Sequence, residues 1–489
     1  MRPKLSRYDF KAIAGAFSRT QITLAALILI GAGAYVARIG HQPLGASEAY
    51  SAWAASKPGV GAIIAIPVLY DPGKQILYYI LLHYFAEIFG YGENALRSLS
   101  LLFALGDLVL IYALARDLFE PESGVAAVAI WVVNPLAMIF AYRARGYSMF
   151  TFVGLAQMIA LWRLRAAPNA WRTVLCGVLG AALIYTHMSG VLILGAEIAM
   201  MVRDFVRGRR SPQLWVAMGI AALLFAPYLP IAMIQSRQLV SGQWLDWMGT
   251  AHYSLAARIA AGGAGVALGL LMVFAPALER RRDEPLRWLA AWSLLPIGAL
   301  IAGSAAIRPM FSVRYVLPSF AVLAVLVAGG LAVWSIKIRN LAAGGCIVAF
   351  LLMMPYDRPG AEPWPQLVQM ITAQGNPAQP IFFESGFIAH GAAGEIANGG
   401  FPFGYYAVPF DYYFHGPNPR LTIPGYDPAA ARARIETAVR AGGGGWLVSW
   451  KNSEVAAELP DARQFQVTRI VSQPQFAFYR IVPKTKPAR

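Results

Sequence analysis

The sequence predicts a polytopic α-helical membrane protein of about 11 spans with a small C-terminal soluble α/β domain. Of the 489 residues, 57% are hydrophobic and only 13% are charged, a balance far from that of an ordinary soluble domain. Apolar stretches long enough to cross a hydrocarbon core of about 30 Å recur from Gln21 to Tyr356, and basic segments separate them. The predicted spans are residues 21–37, 98–115, 124–141, 147–162, 173–186, 189–202, 214–232, 257–277, 287–306, 315–336 and 341–356.

The positions of Lys and Arg predict the orientation, because short cytoplasmic segments retain positive charge during insertion. Basic residues are concentrated in residues 2–19, 163–172, 203–210, 280–287 and 337–339. We therefore expect a multi-pass protein of the inner (cell) membrane with a cytoplasmic N-terminus. The same segments hold most of the net charge of +16, so we expect anionic lipid headgroups, and no nucleic acid, as the counter-charge.

Two further segments decide the direction of the chain. The first apolar run lacks a convincing small-x-small cleavage site, so we interpret it as an anchor and not as a signal peptide. Residues 173–202 are too long for one span at about 1.5 Å per residue, and both flanks are basic, so the chain must turn near His187 and Met188. Eleven spans then place the C-terminal domain on the periplasmic or extracellular side.

The expected domains are a transmembrane domain, residues 1–356, and a periplasmic α/β domain, residues 357–489. The first includes a long outer loop, residues 38–97, whose amphipathic stretch 75–89 suits an interfacial roof over a site. In the second, helical patterns at 364–373 and 428–440 precede strand patterns at 380–383 and 445–450. Aromatic residues at 401–414 could stack on sugars, but we favour core packing.

Arg and Lys on the outer side need an explanation, because the insertion rule does not supply them. Guanidinium groups form a fork that matches two phosphate oxygens, so several of these residues could converge on a lipid phosphate. The alternative for each residue is snorkelling toward lipid headgroups. The outer basic residues are Lys57, Lys74, Arg97, Arg143, Arg145, Arg308 and Arg314.

Acids are fewer on this side and include Glu48 and Asp71, of which Glu48, soon after the first span, could accept a proton from a hydroxyl. An ordinary helix-capping role for Glu48, after Ser47, is equally compatible with the pattern. A divalent cation near the two carboxylates remains open, but no strong ligand cluster supports a metal site. Cys176 and Cys346 lie within predicted spans and indicate no chemistry.

Three other ionisable residues are ambiguous from the sequence. Asp107 and Glu197 fall inside predicted spans, where such groups either have a function or form structural contacts between helices. His187, at the outer turn, could be a ligand or a donor, although a lone His is more often structural.

Several short motifs occur in a consistent order relative to the spans. They are Ser47-Glu48-Ala49-Tyr50-Ser51, Lys74-Gln75-Ile76-Leu77-Tyr78-Tyr79, Asn94-Ala95-Leu96-Arg97-Ser98-Leu99-Ser100, Tyr112-Ala113-Leu114-Ala115-Arg116, Arg145-Gly146-Tyr147, Thr186-His187 and Arg314-Tyr315-Val316-Leu317-Pro318. In kind and order this pattern resembles the integral-membrane glycosyltransferases of the GT-C fold that use polyprenyl-phosphate sugars. Those families include protein mannosyltransferases and lipid A aminoarabinose transferases, and the likeness covers most of the chain.

The resemblance implies an inverting transfer at the outer membrane face. A carboxylate deprotonates an acceptor hydroxyl, which attacks the anomeric carbon of the donor and expels polyprenyl phosphate onto basic side chains. The acceptor would be an envelope glycan, lipid or protein. The implied catalytic residues are Glu48 and Asp71, and the implied substrate-binding residues are Lys74, Tyr78, Arg143, Arg145, Tyr147, His187, Arg308, Arg314 and Tyr315.

One departure from the family pattern bears on catalysis. These families carry an Asp-Glu pair after the first span, and here Ser47 stands where the Asp is expected. Ser cannot serve as a base at neutral pH. The alternative function is therefore a non-catalytic lipid-linked-sugar transporter or accessory membrane subunit. A transporter should show inverted repeats with polar residues near mid-membrane, and only Asp107 and Glu197 fit, which favours the enzyme.

Overall fold

The structure is a computed structural model of the chain. It describes residues 18–69, 76–241, 283–307, 311–331, 362–374, 376–384, 406–424, 427–449, 459–473 and 476–484, with isolated positions at 337, 344, 345 and 348. The predicted span 257–277 and nearly all of 341–356 lie outside these residues, as does Cys346.

The N-terminal part is helical throughout its described residues. It also contains two short 3₁₀ turns, Ala226–Tyr228 and Val313–Val316, each of which leads directly into the helix that follows it. The helices are α1 (Arg19–Ile39), α2 (Ala46–Ala55), α3 (Val60–Leu69), α4 (Leu77–Phe89), α5 (Glu93–Leu118), α6 (Pro121–Val132), α7 (Pro135–Ala141), α8 (Tyr147–Ala166), α9 (Ala170–Thr186), α10 (Gly190–Val206), α11 (Pro212–Phe225), α12 (Leu229–Ser241), α13 (Asp283–Ala306) and α14 (Leu317–Leu331).

Within the described residues, 5 helices are long and apolar enough to cross a membrane, or up to 6 if a bent pair counts as one span. They are Thr20–Ile39, Glu93–Leu118, Pro212–Arg237, Glu284–Ala306 and Val313–Leu331. The bent pair is α6 and α7, which meet at an angle of 68°. Asn134 caps α7 by accepting a hydrogen bond from the backbone N–H of Leu136, and Pro135 prevents α6 from simply continuing. A multi-pass helical protein is confirmed, whereas the number eleven stays a prediction.

The predicted turn near His187 is confirmed. Helix α9 ends at Thr186 and α10 begins at Gly190, so two helices of 17 residues each replace one long one. A side chain at Gly190 would place its Cβ 2.9 Å from the backbone oxygen of Leu183, so the close approach at this turn requires glycine.

Close helix packing in the N-terminal part relies on small residues. A Cβ at Gly106 of α5 would lie 2.7 Å from the ring of Phe152 on α8. One at Gly329 of α14 would lie 2.2 Å from the ring of Phe119, which follows α5. Small residues let membrane helices approach closely enough for packing to hold them together. These contacts bring α5, α8 and α14 into one buried core.

The C-terminal part contains a five-stranded sheet of order β2-β1-β3-β5-β4. Its described elements are α15 (Trp364–Gln374), β1 (Ile381–Glu384), α16 (Ala407–Tyr413), β2 (Arg420–Ile423), α17 (Pro428–Gly442), β3 (Gly445–Ser449), β4 (Phe465–Gln473) and β5 (Phe476–Pro483). β1 pairs in parallel with β2 and β3, whereas β5 is antiparallel to both β3 and β4. The two predicted helices and two predicted strands are confirmed within a few residues.

Both faces of this sheet are covered, which is why every residue of β1 and β3 is buried. One face packs on α15 and α16 through Trp364, Phe383 and Phe410. The other face packs on α17 through Ile435 and Phe382. Tyr406, just before α16, and Phe410 within it belong to a buried cluster, which confirms core packing for the described part of the aromatic segment.

Candidate functional site

The centre of the site is Glu48, the third residue of α2, which is completely buried. Its Oε1 accepts hydrogen bonds from Nε of Arg97 at 2.9 Å and from the backbone N–H of Ala144 at 2.9 Å. Its Oε2 accepts from Nη2 of Arg97 at 3.1 Å, from Nη1 of Arg143 at 3.0 Å and from the N–H of Gly45 at 3.1 Å. The carboxylate therefore caps its own helix and binds two guanidinium groups.

This environment favours the ionised carboxylate. Burial acts to raise the pKa of Glu48, but the Arg97 hydrogen bond, the charges of Arg143 and Arg97, and the Ala144 N–H hold it below its ordinary value. A carboxylate with both oxygens occupied by strong donors is a weak proton acceptor. The helix-capping interpretation is confirmed, and a catalytic role for Glu48 stays a prediction.

Arg97 ties three segments together around this carboxylate. It lies in the second turn of α5 and its side chain is only 2% exposed. Besides Glu48, it donates to the carbonyl oxygens of Ile39, Gln42 and Pro43 at 2.7 to 3.0 Å. These three carbonyls belong to the end of α1 and the linker to α2. Arg97 thus fixes where α2, and with it Ser47, lies relative to the first two long helices.

Arg145 contacts the same helix, α2. Its Nη1 donates to the carbonyl oxygen of Ser47 at 2.7 Å and contacts the hydroxyl of Ser51 at 3.4 Å. The carbonyl oxygen of Arg145 accepts from the Ser100 hydroxyl at 3.0 Å, and that hydroxyl lies 2.8 Å from the Tyr78 hydroxyl. Arg145 and Tyr78 are both buried. Glu48 and Arg145 therefore belong to one site, because the consecutive residues 143–145 contact two adjacent residues of α2, Ser47 and Glu48.

An aromatic and basic cluster adjoins Arg145. The guanidinium carbon of Arg314 lies 5.9 Å from the ring centre of Tyr147 and 5.3 Å from that of Tyr315, distances typical of cation–π contacts. The ring of His187 lies 5.2 Å from that of Tyr315. The charges of Arg145 and Arg314 are close enough to repel each other. Two like charges held together at a buried edge form a site that an anion would stabilise.

His187 is held by the turn that the sequence predicted. Its Nδ1 lies 2.7 Å from the Ser189 hydroxyl, which in turn donates to the carbonyl oxygen of Tyr315 at 2.5 Å. The ring packs 5.0 Å from that of Phe150 and is 5% exposed. The Ser189 hydroxyl thereby links the α9–α10 turn to the 3₁₀ turn that carries Arg314.

The structure brings together most of the predicted site residues within the part of the chain that it describes. Glu48, Tyr78, Arg143, Arg145, Tyr147, His187, Arg314 and Tyr315 form two adjoining clusters joined through Arg145 and α2. Asp71, Lys74 and Arg308 lie outside the described residues. In this part of the chain no group of three or more His, Cys, Asp or Glu side chains is placed to hold a metal ion.

The C-terminal part reaches the same loop, which the sequence did not reveal. The hydroxyl of Tyr413 accepts from the N–H of Leu44 at 2.6 Å and donates to Glu93 at 2.6 Å. Glu362 accepts from the N–H of Ala46 through Oε2 at 2.7 Å. Ala46 belongs to the buried cluster formed by α15 and α16. A Glu two residues before a Trp matches no known sequence motif, so these contacts could not be predicted from the sequence.

One of the two acids predicted inside spans, Glu197, has a structural partner among the described residues. The amide of Gln157 on α8 donates to the buried Glu197 of α10 at 3.0 Å, which confirms a structural contact between helices for this residue. Asp107 is also buried, in α5. Cys176 is a buried free thiol.

Comparison with known proteins supports the fold. Residues 73–231, about a third of the chain, match the family model described as dolichyl-phosphate-mannose-protein mannosyltransferase. The chain aligns with ArnT from Cupriavidus metallidurans in the apo state with a TM-score of 0.62 and 11% identity, over 95% of this chain and 98% of that one. The same protein bound to undecaprenyl phosphate aligns with a TM-score of 0.58 and 12% identity, with the same coverage of both chains.

A second solved protein has the same fold. The oligosaccharyltransferase AglB from Archaeoglobus fulgidus, in complex with an inhibitory peptide and a dolichol-phosphate, aligns with a TM-score of 0.53 and 13% identity, over 87% of this chain and 69% of that one. A search of curated proteins finds no match. The GT-C fold expected from the sequence motifs is therefore confirmed.

Proposed function

We propose that this protein transfers a sugar from a polyprenyl-phosphate donor to an envelope glycan, lipid or protein acceptor at the outer face of the membrane. The observation that carries the proposal is the pair of like charges on Arg145 and Arg314, held against Tyr147, Tyr315 and His187. Two like charges held close together at a largely enclosed site favour an anion between them, because the anion offsets their mutual repulsion. A lipid phosphate meets that requirement, and both ArnT and AglB have been solved with such a lipid.

In the proposed reaction the acceptor oxygen attacks the anomeric carbon while the bond to the phosphate oxygen breaks. A direct displacement of this kind inverts the anomeric configuration. Polyprenyl phosphate leaves with the electron pair, and Arg145 and Arg314 stabilise the negative charge that develops on it. Tyr147 and Tyr315 restrict the position of the Arg314 guanidinium, and His187 supports Tyr315. Lys74 and Arg308 remain proposed phosphate contacts.

Arg143 and Tyr78 have supporting roles in this scheme. Arg143 pairs with Glu48 and is 23% exposed, so part of it is accessible to substrate. Tyr78 fixes the backbone of Arg145 through Ser100. Glu48 and Asp71 remain proposed participants in proton transfer.

The proposed topology places the N-terminus in the cytoplasm of the cell and residues 357–489 outside as a distinct α/β domain. The contacts of Tyr413 and Glu362 with the loop 38–97 support one location for both. A reporter that is active only outside the cytoplasm, fused after residue 489, should be active. An inactive fusion, with an active reporter in the break 203–210, would reverse the topology.

Binding of the lipid phosphate alone, which is the leaving group of the proposed reaction, tests the phosphate site. Purified protein in lipid nanodiscs would be titrated with labelled undecaprenyl phosphate, comparing wild type with Arg145→Ala and Arg314→Ala. Loss of a charge-assisted contact of about 1.5–3 kcal/mol should weaken binding by roughly 10-fold to 100-fold. Arg116→Ala is the matched control, because Arg116 is exposed and pairs with Asp117 away from the site. If both site variants bind as tightly as the control, the proposed phosphate site is wrong.

A second candidate function is binding or movement of a lipid-linked sugar without transfer. It is favoured by one observation, namely that Ser47 occupies the position where the resembling families carry Asp. Wild-type protein that binds the donor but transfers nothing to a broad panel of glycan, lipid and protein acceptors would support this function and exclude the enzyme.

A further inference from the structure

The first turn of α2 has a carboxylate beside it that does not come from its own segment. Glu362 lies two residues before Trp364, the first residue of α15. Its Oε2 accepts hydrogen bonds from the N–H of Ala46 at 2.7 Å and from the indole N–H of Trp364 at 2.9 Å. Trp364 is fully buried, so the C-terminal part holds this carboxylate firmly against α2.

The position is informative because Ala46 immediately precedes Ser47. Ser47 is where the resembling families place an Asp, and here a carboxylate from a residue more than 300 positions away accepts a hydrogen bond from the backbone of the preceding residue, Ala46. We propose that Glu362 is the proton acceptor of the transfer reaction, replacing the carboxylate that Ser47 lacks. This inference rests on the proposed function.

The hydrogen bonds leave Glu362 able to accept a proton. Among the described residues, both side-chain hydrogen bonds to this carboxylate fall on Oε2. Oε1 then remains for an acceptor hydroxyl. Glu48 differs, because five donors occupy its two oxygens.

The two carboxyl groups also differ in acidity, and the difference matches two roles. Burial raises the pKa of Glu362 to about 7, against the opposing hydrogen bonds from Trp364 and Ala46 and the opposing charge of Arg143, while the charge of Glu48 raises it further. Glu48 has a lowered pKa and stays ionised. Adjacent carboxyl groups whose environments push their pKa values apart typically divide the work of acid–base and electrostatic functions. A base with a pKa near the working pH is the more effective proton acceptor.

The proton and electron balance of the step is simple. The acceptor O–H bond breaks and its proton passes to Oε1 of Glu362, while the oxygen forms a bond to the anomeric carbon. The bond from that carbon to the phosphate oxygen breaks, and the phosphate keeps the electron pair as a dianion beside Arg145. Glu362 then releases its proton to water. No oxidant, reductant or further reactant is needed.

Transfer kinetics with matched carboxamide variants test the inference. Glu362→Gln would be compared with Glu48→Gln and Asp71→Asn for donor binding and for single-turnover transfer. Glu436→Gln is the control, because Glu436 lies on α17, on the other face of the sheet, where it accepts a hydrogen bond from the N–H of Asp461. Glu362→Gln should slow transfer by roughly 10²-fold to 10⁴-fold with donor affinity within about 2-fold of wild type. The control should transfer at the wild-type rate.

The pH dependence separates a base from a residue that only packs. The wild-type rate should rise as pH increases through about 7, where Glu362 loses its proton, and then level off. Glu362→Gln should lose this step. Glu362→Asp keeps a carboxylate and should stay within about 10-fold of wild type with the step retained, which guards against a folding defect in the Gln variant.

The outcomes are distinguishable. If Glu362→Gln transfers sugar as fast as the wild-type protein, this inference is wrong and the proposed function stands. If only Asp71→Asn loses transfer, Asp71 is the base instead. An aspartate variant as slow as the glutamine variant also overturns the inference. Wild-type protein that binds the donor and never transfers refutes the proposed function, and the inference with it.

Discussion

Replacing Glu48 by Gln should destabilise the protein severely, because it leaves buried positive charge without its counter-ion. The carboxamide is nearly the same size as the carboxylate, so the packing around α2 is preserved. What changes is the charge that faces Arg97, which is 2% exposed, and Arg143, which is 23% exposed.

The magnitude can be worked from these contacts. Removing one partner of a buried ion pair costs about 3–5 kcal/mol. In the variant, the Arg97 guanidinium still has three carbonyl oxygens as partners, and the carboxylate of Glu93 lies 3.8 Å from it. Arg143 can turn toward solvent. We therefore expect a loss at the lower end, about 3 kcal/mol.

The assay is thermal or denaturant unfolding of the protein in nanodiscs, followed by tryptophan fluorescence. Glu87→Gln is the matched control, because Glu87 is an exposed acid of the same outer region whose carboxylate accepts from the Tyr91 hydroxyl at 2.5 Å. It should cost less than about 1 kcal/mol. A Glu48→Gln variant as stable as this control would refute the reasoning that Glu48 holds the arginines.

Acid titration provides a second check on Glu48. A carboxyl group whose pKa is lowered in the folded state stabilises the protein above its unfolded pKa, and this stabilisation is lost as pH falls through the folded pKa. The free energy of unfolding of the wild-type protein should therefore decrease as the pH falls below the range in which Glu ordinarily titrates. The slope of this free energy against pH should be smaller in Glu48→Gln. An identical acid slope in both proteins would contradict the pKa shift.

Three further substitutions are predicted from single contacts. Tyr413→Phe removes a hydroxyl that bonds a backbone N–H and a carboxylate, and should lower stability by about 2 kcal/mol and speed proteolysis between the membrane part and the sheet. Gly329→Ala drives a Cβ into Phe119 and should cost about 1–3 kcal/mol in thermal unfolding, whereas Gly195→Ala, with open space around it, should be nearly neutral. In Arg97→Lys, the ammonium group cannot bind both oxygens of Glu48 and the three backbone carbonyls together. The free energy of unfolding, measured with denaturant, should fall by about 2 kcal/mol. A variant as stable as wild type would contradict this hydrogen-bond network.

The sequence predicted the features that depend on local pattern. Hydropathy and charge indicated the helices, and basic flanks located the turn at His187 that the structure places between α9 and α10. Alternating helical and strand patterns located α15, β1, α17 and β3. The assembly of Glu48 with Arg145 was also predictable, because few charged residues lie on the outer side and each needs a partner.

The features that the sequence did not predict depend on distant contacts. Nothing local distinguishes Glu362 or Tyr413 from other linker and surface residues, since their roles arise only when the sheet docks on the loop 38–97. The pattern around Glu48 was compatible with a base or a cap, and the capping hydrogen bond from the Gly45 N–H is visible only in the structure. The bend between α6 and α7 was masked by continuous hydropathy, which led to one span being expected where two helices meet at 68°.

The contacts of the C-terminal part have a consequence for how the site is assembled. Arg97 holds the end of α1 and the linker to α2 from one side, through the carbonyl oxygens of Ile39, Gln42 and Pro43. Tyr413 holds the same linker from the other side through the N–H of Leu44, and Glu362 holds the next residues through the N–H of Ala46. The segment that carries Ser47 is therefore fixed only when both parts of the chain are in place. If Glu362 is the proton acceptor, separating the two parts removes the base and frees the linker together, while the phosphate cluster around Arg314 stays intact. Donor binding should then survive loss of docking, and transfer should not.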